Sequence, residues 1–276
     1  MFSIEEFVTT TPFGDITEKK YTYDGAHFSS TFTINASYPD KISINIRYNK
    51  EQQPDDASIY SLDDPADPED VPSDGGAGSI ILLRALIRYI HQLFPSITYI
   101  LFEDQSIVYP EDPLPLRYFW IAFGGETWFE THFRAIYQSE EAHDKYRQRV
   151  DTFLATPTPP FHDFLRHLLH TMQHSDRLWE NKPLFQEVEQ LYAKATTYKE
   201  LFDSIPKERR CEHAKIWVIY HVEDHVKYVM DRMGWRIDVT SLPESQPDDS
   251  SLQIQRDGGW DMWRAQYIAV SDLDDD

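Results

Sequence analysis

A chain of 276 residues with a formal net charge of −21 has room for one large domain or two smaller ones, and it repels nucleic-acid backbones and anionic membrane surfaces. Apolar residues make up 41% and aromatic residues 14%, which supports a core and excludes disorder of the whole chain. The single cysteine, Cys211, excludes an internal disulfide framework and a cysteine zinc cage, and it fits a reducing compartment.

The N-terminal residues Met1 to Glu6 lack a basic-then-apolar leader, and no apolar run reaches bilayer length. The expectation is a cytoplasmic protein without a membrane span. The densest basic run, Lys207-Glu208-Arg209-Arg210, is broken by a glutamate, so no direct nucleic-acid contact is expected.

In chain order, Lys19 to Tyr23, Phe28 to Ile34 and Ile42 to Tyr48 read as strands separated by turns at Asp24-Gly25 and Tyr38-Pro39-Asp40. Ile42, Ile44, Ile46 and Tyr48 alternate, the mark of an antiparallel meander with one buried face. Residues 51–74 are rich in aspartate and proline and read as a mobile acidic loop.

Gly75-Gly76-Ala77-Gly78-Ser79 follows, and glycine lets a backbone turn sharply and approach a ligand closely. Ile80 to Phe94 then has helical apolar spacing through Ile80, Leu83, Leu86, Ile87, Ile90 and Phe94. The start of that helix would aim unpaired N–H groups and a partial positive charge at Gly76, Ala77, Gly78 and Ser79, a place suited to a phosphate.

Ile97 to Phe102 reads as a short strand ending near Asp104 and Ser106, where a substrate would approach a sheet or where the two would cap a turn. Leu116 to Tyr137 reads as a helix bent near Gly124-Gly125. Glu126 and Glu130 lie at i and i+4 on it, as acid–base candidates if they line a cleft and a solvated face otherwise. Trp128, Phe129 and Phe133 read as core.

From Ser139 onward the pattern is helical: Glu140 to Leu154, Phe161 to Trp179, Leu184 to Ala195, a short turn at Tyr198 to Phe202, and Arg210 to Met233. His221 and His225 have the i, i+4 spacing of a metal pair, but a metal needs a third ligand from elsewhere. His162, His167, His170 and His174 stud another helix. Both groups read as solvated polar faces, and no metal site is expected.

Beyond Thr240 the composition is that of a flexible acidic tail, broken by an aromatic island over 260–268. Trp260, Met262, Trp263, Tyr267 and Ile268 are costly to leave in water. They either fold back onto their own domain or dock on a protein partner.

The order of meander, glycine turn, helix, apolar strand and aromatic helix resembles the core of the acetyl-CoA-dependent N-acetyltransferases (the GNAT superfamily). That resemblance implies an α+β fold with a mixed sheet over 1–138; the helices that follow read as a helical subdomain over 139–239 and the composition beyond them as a partly disordered acidic tail over 240–276. It also implies a CoA pyrophosphate held at Gly76-Ala77-Gly78-Ser79, with the acyl group near Asp104 and Ser106. In the family that turn begins with Gln or Arg, where Ser73 stands here. A tyrosine protonates the departing thiolate where Phe129 stands here.

The run from Phe119 to Ala135 is similar to uncharacterised proteins of large DNA viruses, which implies a host-cytoplasmic or virion setting. The expectation is a non-catalytic descendant of the acetyltransferase fold, acting as an acidic protein-binding or assembly module without cofactor. The alternative is an acetyl-CoA-dependent N-acyltransferase with Glu126 or Glu130 as base.

Overall fold

The computed structural model describes residues 1–12, 14–35, 41–63, 77–104, 107–109, 114–171, 182–230, 234–242 and 264–266. The fold is α+β and divides into two compact units. One comprises Met1–Glu111, His132–Ile136 and Gly234–Asp276, and the other Asp112–Thr131 and Tyr137–Met233. Among the described residues no helix is long and apolar enough to cross a membrane.

The first unit is built on a mixed eight-stranded sheet. Strands β1 (Phe2–Thr11), β2 (Gly14–Tyr23), β3 (Ala26–Asn35), β4 (Lys41–Tyr48) and β5 (Pro54–Asp63) form an antiparallel meander. Helix α1 (Ala77–Leu93) then crosses to β6 (Tyr99–Phe102), which lies parallel to β5. With β9 (Ile136–Tyr137) and β10 (Trp235–Asp238), the spatial order is β1-β2-β3-β4-β5-β6-β10-β9, and β10 runs antiparallel to β6.

The isoleucine alternation builds this core. Phe32 and Ile34 of β3, and Ile42, Ile44 and Ile46 of β4, are buried on the sheet, with Leu83, Leu86, Ile87 and Ile90 of α1 buried as well. Helix α1 packs on β3 and β4, and Phe32 meets Tyr89 and Phe94 edge-on at 6.2 and 5.8 Å between ring centroids. Each such side chain removed from water contributes about 1.5–3 kcal/mol.

Three expectations change in this unit. β1 was not foreseen, because it is exposed along nearly its whole length and so lacks the alternation that one buried face imposes. Pro54–Asp63, expected within the acidic loop 51–74, is β5; its neighbour β4 is already apolar, and Ala57 buries against it despite the surrounding aspartates. Trp235–Asp238, expected within the helical subdomain, is a strand whose Trp235 and Ile237 are buried and whose Trp235 ring stacks on Phe102 at 6.2 Å.

Short strands β7 (Ile107–Tyr109) and β8 (Leu114–Pro115) are followed much later by β11 (Arg264–Gln266), which pairs antiparallel with β7. The backbone in the middle of the aromatic island thus returns to its own chain. Trp260, Met262, Trp263, Tyr267 and Ile268 lie outside the described residues.

The second unit is helical: α2 (Leu116–Gly124), most of α3 (Trp128–Phe133, of which His132 and Phe133 fall in the first unit), α4 (Glu140–Ala155), α5 (Phe161–Thr171), α6 (Lys182–Tyr192), α7 (Tyr198–Asp203), α8 (Arg210–His213) and α9 (Ile219–Met230). The helix expected over Leu116 to Tyr137 is two helices. Gly125 adopts φ +80°, and its N–H returns to the Ile121 carbonyl at 2.9 Å, a left-handed cap that only glycine takes without strain. Residues 112–131 cluster with the helices rather than with the sheet, because the apolar face of α2 (Tyr118, Ile121, Ala122) packs on α7 and α9.

Helix α9 is central to this unit and packs on α2, α4 and α5. It is joined to α8 by one wide π-helical turn, Ala214–Val218, whose Trp217 and Val218 are buried.

Candidate functional site

The site expected from the sequence lies where α1 begins and where β5 and β6 run side by side. Ala77, Gly78 and Ser79 are the first three residues of α1 rather than a turn ahead of it, and Gly76 falls outside the described residues. Their N–H groups are among those a helix start cannot pair internally.

Strands β5 and β6 run parallel through the registered pair Ser58 with Leu101, and β6 is four residues long. The ladder between β4 and β5 shifts register between Ser43 and Ile44, a bulge that bends this part of the sheet. Asp104, just past β6, is 4% exposed, so it is held in the interior rather than on a rim. Ser106 lies outside the described residues.

The two carboxylates offered as bases part company. Glu126 is exposed. Glu130 is buried and occupied in the helical unit: its Oε2 accepts from the Thr127 N–H at 2.7 Å and from the Tyr146 hydroxyl at 3.0 Å. Its own N–H donates to Thr127 Oγ1 at 3.2 Å, which completes a reciprocal capping box at the start of α3. Oε1 lies 3.3 Å from Arg147 Nη1 and 3.9 Å from His143 Nε2.

Burial pushes the Glu130 carboxyl above its usual range; the Thr127 N–H, the Arg147 guanidinium and the Tyr146 hydroxyl each pull it back down. Glu130 therefore caps a helix and knits α3 to α4. Thr127-Trp128-Phe129-Glu130 is a legible capping-box pattern, and that signal outranks the acid–base reading of the same glutamate.

Phe129 is 1% exposed, a core ring. Trp128 meets it edge-on at 4.9 Å.

Searches against protein-family models, curated proteins and solved structures found no match to this chain.

The histidines read as solvated are not alike. His162 is exposed beside Asp163 at 3.2 Å, His174 lies outside the described residues, and so does the side chain of His170. His167, however, is brought from α5 to His221 and His225 of α9, and one ring nitrogen of each lies within 4.8 Å of the others. The third ligand that the His221/His225 pair lacked in the sequence comes from a helix packed against its own. Helix–helix packing is a tertiary fact that spacing along one helix does not carry.

Proposed function

We propose that the chain is a non-catalytic, acidic binding module built on an N-acetyltransferase-type scaffold, with the free edge of β1 as its docking surface. The observation that carries the binding half is β1 itself. It pairs with β2 along ten residues and ends the sheet order, and it exposes Phe2, Ile4, Phe7 and Val8, of which Val8 is 61% exposed. A long apolar edge strand is a template for one more strand, and an extended segment of another protein fits it by main-chain pairing. A net charge of −21 disfavours a second copy as that occupant.

The non-catalytic half rests on Glu130 and Phe129. One is consumed as a helix cap and the other as core, which leaves the exposed Glu126 as the remaining acid–base candidate and no phenol to protonate a thiolate. Replacing Ile4 and Val8 by lysine, both exposed, leaves the core untouched. The double variant is expected to lose partners that the parent chain captures; unchanged capture would refute β1 as the surface.

The acyltransferase reading keeps one observation in its favour, the crossover of α1 between the parallel strands β5 and β6. A thioester cofactor would lie against such strands, with its pyrophosphate on the helix N-terminus. Acetyl-CoA at millimolar concentration separates the two. The module reading expects no rise in melting temperature, whereas a rise that is abolished by Gly78→Leu would establish the cofactor site.

A further inference from the structure

The helical unit holds a second arrangement that neither reading uses. His221 is 1% exposed, and among the described residues neither of its ring nitrogens has a hydrogen-bond partner. An imidazole with both polar atoms buried and unmet is costly, and it calls for a water, an ion or another ligand to meet them. Its surroundings are aromatic: the rings of Tyr198 and Phe164 lie at 4.7 and 5.2 Å, and Phe153 stacks on His225 at 4.5 Å.

His225 donates from Nδ1 to the His221 carbonyl at 2.8 Å, which fixes its tautomer and leaves the Nε2 lone pair for a ligand. The His167 Nε2 lies 2.9 Å from an Asp224 carboxylate oxygen, near enough for the acid to act electrostatically on a ligating imidazole. The rings are close: His221 and His225 are 4.6 Å apart, and His167 is 5.7 Å from each.

We propose that His167, His221 and His225 form a transition-metal site of the zinc type, with its fourth coordination position open to water on the half-exposed side of His167. Three imidazoles suit zinc, cobalt, copper or nickel and disfavour calcium and magnesium, which take oxygen. Tetrahedral coordination at zinc–nitrogen distances of about 2.0–2.1 Å places nitrogens roughly 3.3 Å apart. The present separations, within 4.8 Å, shorten toward that value when the ion binds.

Burial first, and then the neighbouring imidazoles of His225 and His167, keep His221 well below its ordinary pKa, so it stands in the neutral form that binds metals. Arg149, whose Nε donates to the His225 carbonyl at 2.6 Å, is the opposing charge nearby, and Asp224 offsets it.

The test uses the full chain, stripped with chelator and titrated with Zn2+ alone and with Co2+ alone. Calorimetry is expected to give one ion per chain, and cobalt the visible absorption of a tetrahedral nitrogen-rich site. His167→Gln and His225→Gln, both at half-buried positions that tolerate a polar amide, should each weaken binding at least tenfold, and Asp224→Asn about tenfold. His221→Phe, which keeps a ring in the aromatic cage, should abolish the cobalt spectrum. Absence of that spectrum in the parent chain, or unchanged affinity in both glutamine variants, would overturn the site.

Discussion

Two clusters of buried polar groups lie in the same helical unit, and they differ in how completely each is satisfied. Around Glu130 every carboxylate oxygen has a donor: the Thr127 amide, the Tyr146 hydroxyl and the Arg147 guanidinium. Around His221 the ring nitrogens have none among the described residues. A saturated cluster has its energetics closed within the fold and reads as architecture. An unsaturated one is closed only by something that binds.

The most severe way to break this comparison is Glu130→Ala. It deletes half of a capping box and orphans the buried Tyr146 hydroxyl, and it should cost about 3 kcal/mol in urea unfolding. Glu130→Gln keeps an acceptor for the cap and should cost less. Equal losses for the two variants would mean that packing, not hydrogen bonding, makes the cluster matter.

On the other side, zinc at about a hundredfold above its dissociation constant should stabilise the parent chain by about 2.7 kcal/mol, read as a rise in melting temperature. His221→Phe should erase that rise. Without metal the same variant should be neutral or stabilising, because it removes two unmet polar atoms and no hydrogen bond of the ring.

Acidification sharpens the contrast. The unfolded chain protonates His221 near its ordinary pKa, while the folded chain resists because burial and neighbouring imidazoles disfavour the charge. The unfolded state then binds more protons, so stability present above about pH 6.5 is lost as pH falls, at about 1.4 kcal/mol per pH unit. His221→Phe should reduce that slope in unfolding curves at pH 5, 6 and 7, leaving the part due to His225, His213 and His143, whose pKa values burial also lowers. Glu130 acts in the opposite sense: its raised pKa means that the folded state binds the proton more readily, favouring stability on the acid side of its own window.

The smallest effect is expected at Gly125, whose carbonyl accepts from Arg147 Nη1 at 2.7 Å at the edge of the saturated cluster. An added Cβ would sit 3.7 Å from Leu154 Cδ1, an ordinary contact, so the cost of Gly125→Ala comes from φ +80° alone, about 1 kcal/mol by thermal unfolding.

The parts of this fold that were legible in the sequence have one wet and one dry face. β3 and β4 announce themselves through alternating isoleucines, and α1 through its apolar stripe. β1 carries Glu5 and Glu6 side by side and buries neither face, so no period marks it. β5 is disguised by Asp55, Asp56 and Asp63, and by register shifts in its pairing with β4. The division between the units was misplaced because the apolar residues of α2 show that it is buried without showing against what.

The sites follow the same rule. The spacing of His221 and His225 is plain in the sequence; Thr127 and Glu130 have capping-box spacing as well, a signal that the acid–base reading of Glu130 passes over. That His167 completes the first pair, and that Tyr146 and Arg147 fill the second cluster, depends on which helices touch.

The wide turn Ala214–Val218 sits just ahead of the helix bearing His221 and His225. Such a turn absorbs about one residue more than an α-helix would use, and each α-helical residue rotates the chain by about 100°. Losing one codon there would leave both flanking segments chemically unchanged while swinging the two imidazoles away from His167. The azimuth of the histidine pair is thus set by a single surplus residue, which a three-nucleotide deletion could remove and a three-nucleotide insertion restore.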